Sequence, residues 1–346
     1  MKRYFILVAA VALATVSCSK TYEANPTAPQ GIGFGSWAEN LSRARTQGSN
    51  TFTNGDDFNV YGYKADTTTA VKTTVFNGDV VSYDGTNWTY SPTRYWDQST
   101  NKYTFFAVSP AGKIASADAQ TGAFTSNSIS FAGNDNDVLV ADKKEVKKEA
   151  YAQTVTIPFN HITSLVDFKV KKHADLGTDV LAITSFNISN IDNVGTFSIN
   201  DAYTDKHPVA TWNATAHAGS YDNTSGVTSV ATLPANVSNS TPDFLIDSLI
   251  VMPQTFRTDA NIQTVNIEYT ITGNAGSGDV ATFTKSFNLK LFDNVDDTDN
   301  EDTIIGRWEQ GKHYTFIITI NANKIVFSAS ITDWVTVDNG YNYLLN

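Results

Sequence analysis

The stretch KHYTFIITINANKIVFSASITDW, Lys312 to Trp334, decides the fold class. Tyr314, Phe316, Ile318 and Ile320 recur at every second position, as do Ile325, Phe327, Ala329 and Ile331 after a break at Asn321 to Asn323. Side chains of a strand alternate between its two faces, so this spacing predicts two strands, each with one apolar face, joined as a hairpin. The same texture extends upstream. Period-two runs occupy Phe58 to Tyr63, Lys102 to Val108, Thr154 to Phe159 and Leu165 to Val170. Others occupy Leu181 to Ile188, Phe244 to Met252, Thr264 to Ile271 and Ala281 to Phe292. Gly, Asn, Asp and Pro punctuate them, as strand ends and turns require. In SYDGTNWTY, Ser82 to Tyr90, the pair Asp84-Gly85 lies between two aromatic-containing strands and signals a second hairpin. Only DKKEVKKEAY, Asp142 to Tyr151, offers a short helix, with a solvated charged loop as the alternative.

Many short strands without alternating helices predict an all-β protein of two β-sandwich domains rather than a βαβ fold. The length of 346 residues suits two such domains. They are expected at residues 36–165 and 166–346, with the boundary in the stretch Thr163 to Asp175.

The N-terminal end carries an address. Lys2 and Arg3 precede an apolar run from Tyr4 to Val16, and Ser17-Cys18 follows at once. A charged start, a short apolar core and a small residue at the cut describe a secretory signal peptide over residues 1–17. The run is too short to span a bilayer permanently. A cysteine at this distance, after a small residue, is what bacterial lipoprotein processing acylates, so Cys18 is the expected lipidation site. Thr15 departs from the leucine-like residue usual in such a lipobox. Several acyl chains, each contributing about 0.8 kcal/mol per buried methylene, hold a protein firmly on a membrane. Residues 18–35 are expected as a lipidated, flexible spacer, because SKTYEANPTAPQGIGFG is polar and rich in Pro and Gly.

Cys18 is the only cysteine, so no disulfide, zinc-thiolate site or cysteine nucleophile is available and the core alone must hold the fold. The formal net charge is −11, and loss of Lys2 and Arg3 makes an exported chain more acidic still. Nucleic acid, which wants a basic face, is not an expected partner.

Signs of catalysis are sparse. His161, His173, His207, His217 and His313 stand apart, none at metal-ligand spacing to another. His161 follows a strand end and is expected to cap or to hydrogen-bond inside the domain junction. There is no GxSxG elbow, P-loop or HExxH pair. The acidic run DNVDDTDNED, Asp293 to Asp302, suggests calcium at first sight. A loop starting at Asp297 would need glycine sixth, where Asp302 stands, so a solvated acidic loop is the plainer reading. The chain is therefore expected to be no enzyme and to need neither metal nor cofactor. Tyr90, Tyr95, Trp96, Tyr103, Phe105 and Phe106 could stack on sugars, but such residues more often fill a sandwich. Trp88, just past the Gly85 turn, has the loop-tip place that an exposed platform would want.

Several stretches, in order, resemble the Bacteroides-type fimbrillin family of lipoprotein-derived pilins. They are RTQGSNTFTNGDDFNVYGY, Arg45 to Tyr63; YWDQSTNKYTFFAVSP, Tyr95 to Pro110; NDVLVA, Asn136 to Ala141; VTIPFNHITSLVDFKV, Val155 to Val170; and the closing segment from Trp308 to Trp334. The resemblance implies transthyretin-like, Greek-key sandwiches, export as an outer-membrane lipoprotein, and assembly into a surface fimbria that supports adhesion. It further implies that an arginine-specific protease removes an N-terminal strand and that a strand from a neighbouring subunit fills the gap.

The parts for that route are present. GIGFGSWAENL, Gly31 to Leu41, carries Ile32, Phe34 and Trp37 and suits a removable first strand. Arg43 and Arg45 follow, with Thr46 opening the body, so the cut is expected after Arg45, with Arg43 as the alternative. Past Trp334 the chain adds VTVDNGYNYLLN, in which Val335, Val337, Tyr341, Tyr343 and Leu345 alternate as a donor strand would. A resident last strand needs the same alternation. The expected partners are other fimbrial subunits, the processing protease and the outer membrane. The competing expectation is a surface lipoprotein that binds glycans beside an outer-membrane importer, which would show an exposed aromatic cluster.

Overall fold

The structure, a computed structural model, describes residues 29–35, 52–66, 71–100, 102–131, 137–151, 153–200, 208–222, 231–258, 261–273, 279–291, 306–321 and 325–334. Among these residues there is no α-helix; strands and three short 3-10 turns account for the regular structure.

A seven-stranded sheet organises the first half. Its centre is the strand Asp57–Ala65, antiparallel to Lys72–Tyr83 on one side and to Lys102–Ser109 on the other. Lys102–Ser109 also pairs with Lys144–Lys147 and Leu139–Ala141, and Phe159–His161 closes that edge. Both faces of the sheet are covered. Phe58, Val60, Tyr103, Phe105 and Ala107 face one core, and Tyr61, Tyr63, Phe106 and Val108 face another. That double burial is why KYTFFAVS reads as an almost unbroken apolar run. Gly62 stands between Val60 and Lys64, where a Cβ would lie 2.8 Å from the Thr104 carbonyl oxygen and 3.0 Å from the Phe105 ring.

Two four-stranded sheets build the second half. Ser164–Lys172 lies antiparallel to Asp243–Val251 and parallel to Lys312–Ile320, which forms the expected hairpin with Ile325–Asp333. Opposite stands a sheet ordered Gly219–Asp222, Val180–Ile191, Thr264–Thr272, Val280–Asn288. Between them Phe168, Phe186, Phe316, Ile318, Leu181 and Tyr221 form the largest core. Tyr314, Phe316, Ile318 and Ile320 are all buried, as their alternation predicted.

A five-stranded sheet joins the halves. Ile114–Asp118 and Ala123–Ser126 come from before residue 165; Val194–Ile199 and Thr211–Ala216 come from after it. Ser198 and Ile199 pair with Thr125 and Phe124. Under this sheet a third core mixes Phe106, Val108, Phe124 and Val140 with Ile162, Phe197, Ile250 and Trp334.

Local details depart from expectation where polar residues or proline intervene. Asp142 to Tyr151 is neither helix nor loop throughout, because Lys144–Lys147 is a strand and only Lys148–Ala150 turns as a 3-10 helix. The run from Thr154 to Phe159 is two strands, Val155–Thr156 and Phe159–His161, with Pro158 between them. The Asp84-Gly85 hairpin forms, with Gly85 at φ +93° and Asp84 Oδ1 accepting from the N–H groups of Thr86 and Asn87 at 2.8 and 2.6 Å. Both bonds hold the Asp84 carboxyl below its usual range.

Candidate functional site

The sequence places its functional weight on strands at the two ends, and the structure describes part of the first. Gln30 to Gly35 is an extended insert between two other segments. On one side Trp96 N donates to Gln30 O at 2.9 Å and Ile32 N donates to Arg94 O at 2.8 Å. On the other, Val155 N donates to Gly33 O at 2.8 Å, and Phe34-Gly35 pairs in parallel with Val155-Thr156. Alternation is strict: Ile32 and Phe34 are buried, while Gly31 and Gly33 are exposed. The expected spacer over 18–35 is therefore packed into the fold in its last residues, because Ile32 and Phe34 complete a core.

That core is aromatic. The Phe34 ring meets Phe58, Phe76, Tyr90 and Phe105 at 5.5 to 6.0 Å, edge to face or nearly so. Tyr90 Oη donates to Ile32 O at 2.6 Å and accepts from Arg94 N at 3.1 Å. Burial raises the Tyr90 phenol above its ordinary pKa, so it stays protonated and able to donate. Arg94 is tied by its guanidinium to Asp79 at 3.0 Å. Next along the chain, Lys64 Nζ reaches Asp97 Oδ2 at 2.6 Å. The Lys64 ammonium, helped by the hydroxyl and N–H of Ser99, holds the Asp97 carboxyl well below the usual range. The segment is held by packing and backbone pairing rather than by charge: the groups that hold Gln30 to Gly35 are backbone amides, a phenol and aromatic rings.

At the C-terminal end the described residues reach Trp334. Trp334 is buried, its N–H donates to Gly311 O at 2.8 Å, and its indole stacks on His161 at 3.7 Å and 10°. His161 Nδ1 lies 3.1 Å from Asp137 Oδ1, which also accepts from Thr163 Oγ1 at 2.7 Å. His161 thus hydrogen-bonds inside the junction, as expected. Cys18, Arg43, Arg45 and Thr46 lie outside the described residues, as do Trp37, Val335, Val337, Tyr341, Tyr343, Leu345 and the acidic run Asp293 to Asp302.

The aromatic candidates go inside. Trp96, Tyr103, Phe105 and Phe106 are buried, and Trp88 packs against Phe52, Phe58 and Tyr83 at 4.9 to 5.1 Å. Tyr95 alone of the set is largely exposed, at 54%. Trp88 is therefore no open platform, because the hairpin folds back over the first core. The four described histidines each meet one aspartate: His161 with Asp137, His173 with Asp175, His217 with Asp192 and His313 with Asp167. Among the described residues no group of three or more His, Cys, Asp or Glu is placed to hold a metal ion. Sequence reasoning missed Tyr90, Arg94 and Val155 as the residues that hold the first strand. Their signal was weak, since each acts through one hydrogen bond across a long separation.

The comparisons agree with this architecture. The fold is similar to that of a fimbrial protein from Bacteroides vulgatus, with a TM-score of 0.56, 17% identity, and coverage of 80% of this chain and 93% of that one. It is also similar to a protein from Bacteroides uniformis described provisionally as a cell adhesion protein, with a TM-score of 0.50, 16% identity, and coverage of 89% and 98%. A search of curated protein sequences finds no match. The model of the fimbrillin-like family matches residues 42–334, most of the chain, and the protein belongs to that family.

Proposed function

We propose that the chain is a structural or accessory subunit of a cell-surface fimbria, anchored in the outer membrane through Cys18 and assembled by strand exchange. One observation carries the proposal. Gln30 to Gly35, upstream of Arg43 and Arg45 in sequence, forms a wall of the first aromatic core and is held at both edges by hydrogen bonds from other segments. A cut after Arg45, or Arg43, severs the covalent link between that wall and the body. Departure of Ile32 and Phe34 then uncovers Phe58, Phe76, Tyr90 and Phe105 and takes from Trp96 N and Val155 N their backbone acceptors, a template for a new strand.

Val335 to Asn346 of another copy or subunit supplies that strand. Its Val335, Val337, Tyr341, Tyr343 and Leu345 would each gain roughly 1.5–3 kcal/mol on full burial, a gross gain on the order of 10 kcal/mol. Ordering and association costs are of comparable size, so assembly requires a fully inserted strand in register. The same reading includes transthyretin-like topology for the sandwiches, with the other fimbrial subunits, an arginine-specific protease and the outer membrane as partners.

The test uses the precursor, an arginine-specific protease and electron microscopy. Filaments are expected from the wild type and neither from Arg43→Ala/Arg45→Ala nor from a chain lacking Tyr341 to Asn346. Filaments of normal length from either variant overturn strand exchange. The anchor is checked separately: Cys18→Ala is expected to lose palmitate labelling and membrane association, and equal labelling of both proteins refutes lipidation.

A further inference from the structure

Downstream of Thr46 the chain carries only three arginines, Arg94, Arg257 and Arg307. An arginine-specific protease that cuts at Arg43 or Arg45 therefore meets three further peptide bonds, and the structure guards them in two different ways. Endoproteases take a substrate as an extended strand, pairing main chain with main chain. Which backbone edges are free to be paired decides which bonds are cut.

Two of the bonds are guarded by the body itself. Arg307 stands in a strand opposite Thr255, and Trp308 just beyond the bond is buried. Arg257 Nη1 lies 2.6 Å from Asp192 Oδ1, and the rest of its guanidinium donates to the carbonyl oxygens of Asn190, His217 and Asn261. Its backbone N–H donates to Gln263 Oε1 at 2.7 Å. Neither bond can enter a protease without breaking contacts made entirely within the body.

Arg94 is different. It lies outside the strands, and Ser91, Pro92, Thr93 and Tyr95 around it are exposed. Its carbonyl oxygen accepts from Ile32 N at 2.8 Å, Tyr95 bridges to Gly31, and Trp96 N donates to Gln30 O at 2.9 Å. A Cβ on Gly31 would stand 3.2 Å from Thr93 Cγ2, so the first strand also lies against the residue before Arg94. Arg94 N donates to Tyr90 Oη, but that phenol is itself fixed by its bond to Ile32 O. The guanidinium is half-exposed and held by Asp79 at 3.0 Å. The edge that a protease would pair with is thus covered by the segment that processing releases.

We infer that Arg94–Tyr95 is a conditional cleavage site, closed by Gln30 to Gly35 in the precursor, opened when that segment leaves, and closed again by an incoming strand. The inference rests on the strand-exchange reading. Hydrolysis adds one water across the bond, its hydroxyl to the Arg94 carbonyl carbon and its hydrogen to Tyr95 N. The cut falls between Lys72–Tyr83 and Lys102–Ser109, the two neighbours of the central strand Asp57–Ala65. A subunit that loses its first strand and gains no donor is then destroyed rather than left with an open aromatic core, by the same protease that licenses it.

The experiment digests the full chain with an arginine-specific protease and follows the cut sites by mass spectrometry. In Arg43→Ala/Arg45→Ala, which cannot release the first strand, Arg94–Tyr95 is expected to stay whole. Adding Ile32→Ala to that chain loosens the strand without cutting it and is expected to speed cleavage at Arg94 about tenfold or more, since lost burial raises the opened population. Ile32→Val is expected to act in the same direction by a smaller factor, and it holds the test should the larger change unfold the chain. In the wild type, cleavage at Arg94 is expected after the first cut and is expected to slow when the peptide VTVDNGYNYLLN is added. Equal rates at Arg94 with and without the Ile32 changes overturn the guard, as do cuts at Arg257 or Arg307 as fast as that at Arg94. An unchanged rate in the presence of the peptide overturns the reclosing. The Ile32 variants need neither a released strand nor a filament, so failure of strand exchange leaves the guard standing, and failure of the guard leaves strand exchange standing.

Discussion

At the scale of single residues, the fold spends its charges on closing joints. Asp137 and His161 are buried together where the halves meet, and the imidazole lies flat on Trp334, the last described residue of the chain. Removing one member of such a pair leaves the other buried without a partner, which is why joints of this kind do not tolerate single changes. The Lys64–Asp97 pair plays the lesser, exposed version of that part, bracing the segment Arg94 to Trp96 that holds the first strand. Its pH dependence has a definite sign. The folded Asp97 carboxyl titrates below its ordinary 3.8, so the stabilisation is complete above that value and is lost as pH falls through the folded one. Asp97 and Lys64 are each about a third exposed, which limits the pair to about 1 kcal/mol or less. Asp97→Asn should therefore melt slightly below wild type at neutral pH, and the gap should narrow progressively as pH falls below about 4. Thermal melts across that range check this, and a gap of constant size at every pH contradicts it.

At the scale of strands and turns, legibility followed burial. Lys312–Ile320 was readable because one face is packed and the other open, and its tyrosine, phenylalanine and isoleucines therefore alternate cleanly. Lys102–Ser109 was readable because both faces are buried, which makes almost every position apolar. Ile114–Asp118 and Thr211–Ala216 escaped notice for the opposite reason. Both are open to solvent at many positions and rich in Ser, Thr, Asn and Ala, so backbone pairing rather than side-chain pattern fixes them. The first strand is an intermediate case. Ile32 and Phe34 announced an apolar face, but the glycines between them looked like linker, and only the partners at Arg94 and Val155 show that the glycines line an outer edge.

At the scale of the whole molecule, the third sheet has a consequence for cooperativity. Val194–Ile199, with Thr211–Ala216 paired on its other side, leaves the second half in sequence to pair with Ala123–Ser126, and the core beneath takes side chains from both sides of residue 165. Separating residues 36–165 from 166–346 would expose Phe106, Val108, Phe124 and Val140 on one piece and Phe197, Ile199, Ile250 and Met252 on the other. Full burial of each is worth roughly 1.5–3 kcal/mol, and a whole domain is stable by only about 5–15 kcal/mol. Loss of four such burials on a side is therefore comparable to everything that keeps a half folded, before counting the broken ladder between Ser198-Ile199 and Phe124-Thr125. The full chain is expected to unfold in one calorimetric transition, and either piece expressed alone is expected to aggregate through its exposed apolar face. Two resolved transitions, or a monomeric and folded 36–165 fragment, would show that the shared sheet is a contact between independent domains. A single transition would mean instead that a fimbria of such subunits transmits load through each one as a unit, with the joint at Asp137, His161 and Trp334 inside the stressed core.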